Sequence, residues 1–355
     1  MAYTTVDDGS EYFHTQLYTG DGSSSNAITN DANAGDFKPD WLWIKCRSEG
    51  RDHQITDSTR GGNIGLRPNS TIAEFSGAST QFDSDGFTLL DSSNNFNGSS
   101  KTYVAWQWKA NGGTTTTNDA SATSVGTIDS VYQANTTAGF SIVTYTGTGS
   151  AGTIAHGVGA TPHWVLVKNR STGDRQWYNQ HIGNSSASKG QSLSTDGAEQ
   201  TLSAVFGDTR ASSTVFTVGD NNSINDSGDN YVAYVFAPIK GYSSFNLYTG
   251  NGNADGPFVY TGFRPSFAII KRRDSTTSWR LMDTKRDSFN VMETRLFADA
   301  TNADTTGNDV CDFLSNGFKI RSTNGGVNNN GSSYICIVFA EHPFVSSKGV
   351  PVTAR

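Results

Sequence analysis

Asp57-Ser58-Thr59-Arg60 and Asp283-Thr284-Lys285-Arg286 set a carboxylate and a guanidinium three residues apart, twice in one chain. Such a pair can brace a loop or hold a polar ligand, and bracing is the preferred reading. Trp177 and Trp279 fall beside this feature, and a middle version of it lies near His181 and Asn184. Indole rings next to polar loops can stack on sugar rings, although they also fill cores. Trp177, Trp279, Asp57, Arg60, Asp283 and Arg286 are therefore the candidates for contact with a ligand or partner.

Other chemistries find less support. The six histidines are scattered without the Cys/His spacing of a zinc site. His156-Gly157-Val158-Gly159 reads as a structural turn before a strand. A nucleophile elbow, Gly-x-Ser-x-Gly, is missing. Glu11, Glu49, Glu74, Glu199, Glu293 and Glu341 do not fall into the matched positions that a repeated carboxylate pair would show. Asn251-Gly252-Asn253-Ala254-Asp255-Gly256 begins like a calcium loop but has Gly262 where the closing acid belongs. Lys271-Arg272-Arg273 is expected to be a solvated strand end. The expectation is a non-enzyme without metal or cofactor.

Charged residues make up 17 % and hydrophobic residues 35 % of the 355, while aromatics reach 11 %. Gly, Ser, Thr and Asn fill the difference, as in many short strands joined by polar turns. A net charge of -7 argues against nonspecific nucleic-acid binding. Cys46, Cys311 and Cys336 are odd in number and lack metal spacing, so reduced thiols are expected. The first residues show no secretory pattern, and no apolar run approaches a membrane span. Synthesis and folding in a cytoplasm, without membrane insertion, are expected.

The elements that must position these residues are written three times. Tyr18-Thr19-Gly20, Tyr145-Thr146-Gly147 and Tyr248-Thr249-Gly250 open the copies. Pro39 to Lys45, Pro162 to Lys168 and Pro265 to Lys271 follow. Tyr103 to Trp108, Tyr231 to Phe236 and Tyr334 to Phe339 close them. Copies two and three keep offsets of 102–103, and copies one and two keep 123–129. Ordered columns of this kind mark an internal triplication. Trp41 and Trp43 alternate with Leu42 and Ile44, and Val165-Leu166-Val167 and Ala268-Ile269-Ile270 are continuous apolar runs, as in strands buried on both faces. Cys336 shares the column of Ala105 and Ala233, which suits a small buried residue. Gln107 shares that of Val235 and Val338, so one face of the first copy should be less covered. No segment has a convincing helical period with caps, and the best candidate, Phe289 to Phe297, is short.

Strands at this spacing predict an all-β chain of three tandem β-sandwich or jelly-roll domains. The repeats span 1–110, 126–240 and 241–345. A Thr/Ser/Asn-rich linker, 111–125, tethers the first, and a C-terminal tail, 346–355, ends the chain. The second and third repeats should abut.

Gly139 to Gly147, Gly256 to Pro265, Asp312 to Lys319 and Tyr231 to Pro238 together make the chain resemble a family of tailed-bacteriophage virion proteins of unknown function, found in phages of marine bacteria and cyanobacteria. The likeness covers nearly the whole chain. It implies concanavalin-like sandwich repeats in a virion protein assembled in the host bacterial cytoplasm. The expected role is tail-associated, in a fibre, tail tip or baseplate. Its partners would be other virion proteins and host cell-surface polysaccharide. A capsid decoration protein is the alternative, and a tail-borne glycan hydrolase the remaining one. A homo-oligomer is expected in the particle. Three internal copies suit both a chain that imitates a trimer and one that joins a symmetric ring.

Overall fold

The chain is all-β in a computed structural model that describes residues 4–31, 37–308 and 310–341. Among these residues the helices are single turns of three or four residues. Each repeat lays the same strands side by side in one antiparallel sheet. In the first repeat the order is Phe13–Thr19, Thr102–Trp108, Trp41–Cys46, Gln54–Asp57. In the second, Phe140–Thr146, Asn230–Phe236, Trp164–Asn169 and Tyr178–His181 take these places. In the third they are Ser243–Thr249, Ser333–Phe339, Phe267–Arg272 and Arg280–Asp283. The register repeats too: Trp41 opposes Trp108, Trp164 opposes Phe236, and Phe267 opposes Phe339.

Strand alternation sends the two faces of each sheet into different cores. Leu42, Ile44 and Ala105 pack outward beneath a smaller sheet of Asn26–Ile28, Phe87–Leu89 and Thr80–Phe82. Val165, Val167 and Ala233 do the same beneath Gly152–Ala155 and Val215–Val218. Ala268, Ile270 and Cys336 do so beneath Phe258–Tyr260, Gly317–Ile320 and Cys311–Leu314. The opposite faces of all three sheets share one central core. The last residues of the closing strands, Trp108, Phe236 and Phe339, meet there, with ring centroids 6.4, 5.7 and 5.5 Å apart. This triangle marks an approximate threefold axis. All seven tryptophans are buried.

The Tyr-Thr-Gly signature is a structural lock. Tyr18 stacks on Tyr103, Tyr145 on Tyr231 and Tyr248 on Tyr334, at 5.1, 5.0 and 4.9 Å. The hydroxyls of Tyr18, Tyr145 and Tyr248 donate to the carbonyls of Phe96, Ile224 and Val327. The glycine is required by close approach. A Cβ on Gly20, Gly147 or Gly250 would lie 2.4, 2.2 or 2.3 Å from a carbonyl oxygen of the facing turn. A buried asparagine, Asn97, Asn225 or Asn328, completes each lock by binding the loop after the glycine.

Several local expectations change. The stretch 111–125 contains the strand Thr116–Asn118 and the helical turn Ala120–Thr123, capped by Asp119. Its β-branched threonines favour extended backbone, and Thr116–Asn118 pairs with Ser130–Asn135. Gln133 on the latter strand donates to the Ser58 and Thr59 hydroxyls, both at 2.9 Å, so the first repeat is held against the second. Phe289 to Phe297 forms no helix; its last two residues are a short strand, Leu296–Phe297. Gln107 is fully buried, because its strand runs between two others that place His14 and Leu42 opposite it, and its amide donates to Asn30 at 2.7 Å. Cys46, Cys311 and Cys336 are buried and form no disulfide among the described residues. The expected tail, 346–355, lies outside the described residues.

Candidate functional site

All six residues singled out by type and spacing lie inside the molecule, at the seams where one repeat meets the next. Asp57 and Arg60 form a fully buried ion pair at 2.6 Å, as do Asp283 and Arg286. Each aspartate also accepts the backbone N–H of its arginine, which closes the loop as a brace. Burial disfavours both guanidinium charges, yet the facing carboxylates outweigh it and raise both pKa values. The remaining lone pairs reach across the seams. Asp57 accepts the Tyr234 hydroxyl at 2.8 Å, and Asp283 accepts the Trp106 indole at 3.1 Å.

Tyr234 and Trp106 occupy one column, and the third copy has Ile337 there. Ile337 has no proton to donate, and in the second copy the aspartate column holds His181. The loss of the donor in one repeat thus matches the loss of the acid in its neighbour. His181 instead uses Nδ1 to accept the Gly183 N–H at 2.9 Å.

Trp177 and Trp279 are both fully buried, and neither presents a face to a ligand. Trp177 donates its indole N–H to the Arg67 carbonyl of the first repeat, and Trp279 donates to the Ser192 carbonyl of the second, each at 2.9 Å. The first copy carries His53 in this column. His53 Nδ1 accepts the Trp43 indole N–H at 2.9 Å, so Nε2 carries the proton and donates to the Phe297 carbonyl of the third repeat, also at 2.9 Å. Burial, and then the nearby Lys45 charge, hold His53 well below the usual histidine range, which fits this neutral tautomer.

The basic run also belongs to the seams. Lys45, Lys168 and Lys271 are buried on the central strands, not solvated. Lys168 donates to the Thr71 carbonyl of the first repeat, and Lys271 to the Asp196 carbonyl of the second, each at 3.1 Å. Lys45 bonds to Cys46 of its own repeat. Burial pulls them down to about 8, about 7 and about 8 in chain order. Two residues later, Arg47 pairs with Asp304 at 2.7 Å, Arg170 with Glu74 at 2.7 Å, and Arg273 with Glu199 at 3.9 Å. Every seam therefore has one such bridge, running from the first repeat to the third, the second to the first, and the third to the second.

The acceptors Glu74, Glu199 and Asp304 were missed from sequence. Glu74 and Glu199 are 125 positions apart, inside the offset range of the other columns, but the third member is an aspartate. Its shorter side chain and the gap in offset hid the match.

An open groove of about 230 Å³ lies on the second repeat beside a seam, lined by Thr117, Asp129, Thr144, Thr146 and Asn230 among others and by the bridging Arg170. His156 is a buried turn residue, with its Nδ1 accepting the Val158 N–H at 3.2 Å. Among the described residues no group of three His, Cys, Asp or Glu is placed to hold a metal ion, and no helix is long and apolar enough to cross a membrane. What the seams do chemically is pair the two buried aspartate–arginine braces and give backbone carbonyls to the indoles and lysines that lie where the sheets meet.

No curated protein matches the chain. One family model does, across residues 8–343, and it takes in all three repeats and all three seams; the chain belongs to that family, described as a domain of unknown function (DUF7483).

Proposed function

We propose that this protein is a non-catalytic structural protein of a tailed-bacteriophage virion, tail-associated in a fibre, tail tip or baseplate. In this reading each repeat is a jelly-roll, concanavalin-like β-sandwich. The contacts are with other virion proteins and with host-surface glycan, through the loops that differ between repeats. The observation that carries the reading is the closed ring of seams. The repeated polar columns are engaged in joining the three units into one body, so that body presents its variable loops at fixed spacing. Fixed spacing raises effective concentration, by which weak contacts add up. The phrases shared with tailed-phage virion proteins support the phage assignment.

A capsid decoration protein is the second reading, favoured by the approximate threefold axis through Trp108, Phe236 and Phe339, since such a body suits a threefold position in a shell. Gold-labelled antibody against the protein, viewed on purified particles by electron microscopy, separates the two. Label on the tail is expected. Label on the head would move the assignment to decoration, and label absent from intact and disrupted particles would overturn the virion reading. Release of reducing ends from host polysaccharide by the purified protein would overturn its non-catalytic part.

A further inference from the structure

The second repeat shows what fits the side of a repeat, and the third repeat leaves that side open. In the second, Phe140–Thr146 is not the sheet edge: Ser130–Asn135 pairs along it, with Ile142 opposite Gln133 and Thr144 opposite Val131. The segment just before this strand also reaches the smaller sheet, where Thr127 and Ile128 donate to the Thr153 carbonyl at 2.8 and 3.1 Å. One extended segment thus seals the edges of both sheets.

In the third repeat, Ser243–Thr249 and Phe258–Tyr260 hold the equivalent places, and each is the last strand of its sheet. The hydrogen-bond phase fixes which groups face out. Ala340 donates to the Tyr242 carbonyl and Gly250 to the Ser332 carbonyl, so the even-numbered residues bond inward. In an antiparallel ladder the alternate residues then turn N–H and C=O away from the sheet. These are Phe245, Leu247 and Thr249, in the columns of Ile142, Thr144 and Thr146. On the smaller sheet Val259 pairs with Phe318 as Ile154 pairs with Phe216. Phe258 and Tyr260 therefore replace Thr153 and Ala155. Leu247, Phe258 and Tyr260 are 48, 44 and 63 % exposed, whereas Ala155 is 2 % exposed. Among the described residues no strand pairs with the open side of Phe245 to Thr249. An edge with this much exposed apolar surface invites strand addition.

We propose that the open flank of the third repeat binds an extended strand from a partner polypeptide, antiparallel to Ser243–Thr249, with backbone hydrogen bonds to Phe245, Leu247 and Thr249. The chemistry of the occupant is that of Ser130–Asn135: uncharged, with Ser, Val, Tyr, Gln, Ala and Asn side chains. The inference rests on the ladder geometry and the internal comparison, and it stands whether or not the partner is a virion protein.

The probe is a synthetic peptide of residues 127–136, added to the full-length protein. Saturable binding is expected, with slowed amide hydrogen exchange at Leu247 and Thr249. Leu247→Pro removes an outward N–H and spares the inward bonds, a substitution that edge strands accept. It should weaken binding at least tenfold. Leu247→Lys, an edge-protecting charge that leaves the backbone free, should weaken it less, and Phe258→Ser with Tyr260→Ser should also weaken it. Absence of saturable binding, or binding unchanged by Leu247→Pro, overturns the proposal. Concentration-dependent dimers abolished by Leu247→Pro would assign the flank to a second copy of the chain. Binding seen only after removal of the residues beyond 341 would assign it to the chain's own end. Either result overturns a foreign strand.

Discussion

At the scale of single residues, the seams concentrate the cost of error. Arg60→Ala would strand the Asp57 carboxylate in a fully buried site, and removing one partner of a buried ion pair typically costs about 3–5 kcal/mol. Urea unfolding should register that loss. Replacing Asp57 and Arg60 together by apolar residues should cost less. The buried lysines give a pH signature with a definite sign. Their folded-state pKa values, about 8, 7 and 8, lie below the ordinary value of 10.5. Between these limits the unfolded chain binds more protons than the folded one, so the lysine contribution makes stability rise with pH from about 7 toward 10. Above pH 10 the sign reverses. Tyr18, Tyr145, Tyr234, Tyr242 and Tyr248 are raised well above their usual value by burial, so the unfolded state releases those protons first. Thermal midpoints measured from pH 6 to 11 should pass through an alkaline maximum, and Lys168→Met should flatten the rise. The acid–base spacing was legible in the sequence because the brace is local. The cross-seam partners Tyr234 and Trp106 were not, because side-chain direction between repeats is a property of how sheets pack and leaves no local pattern.

The strands and turns were the most legible elements. Period-two alternation in Trp41 to Lys45 and Tyr231 to Phe236 placed each residue on the face it occupies, because both faces of these strands meet a core. The stretch 111–125 was opaque for a reason: three residues of strand pairing and one helical turn are too short to imprint periodicity on a Thr-rich sequence. The Tyr-Thr-Gly locks carry the prediction at this scale. Gly250→Ala would place a methyl 2.3 Å from the Asn329 carbonyl oxygen. Backbone must move to relieve it, at a cost of about 1–3 kcal/mol. Tyr145→Phe removes only the hydrogen bond to Ile224 and should cost about 1 kcal/mol. Denaturation midpoints of the two variants should rank in that order.

For the whole molecule, the triplication was readable but its closure was not. Sequence offsets suggested a tethered first repeat beside two abutting ones. The structure has three seams that share an arginine–acid bridge, with aromatic rings from every repeat in the shared core. A repeat cut from this ring would expose Trp108, Phe236 or Phe339 together with buried lysine. The chain should therefore unfold in one cooperative step, with calorimetric and van't Hoff enthalpies in agreement. A fragment of residues 1–240 should aggregate instead of folding as two independent domains.

The Thr-rich hairpin that widens only the second sheet makes this near-symmetric body directional. Seated on a true threefold axis, one chain could be turned into three settings that offer similar cores and nearly identical outlines. Averaging such particles under imposed symmetry would leave the common strands sharp and dilute the hairpin to one-third occupancy. The strength of that one feature, relative to the strands beneath it, would then report how freely the chain chooses its setting.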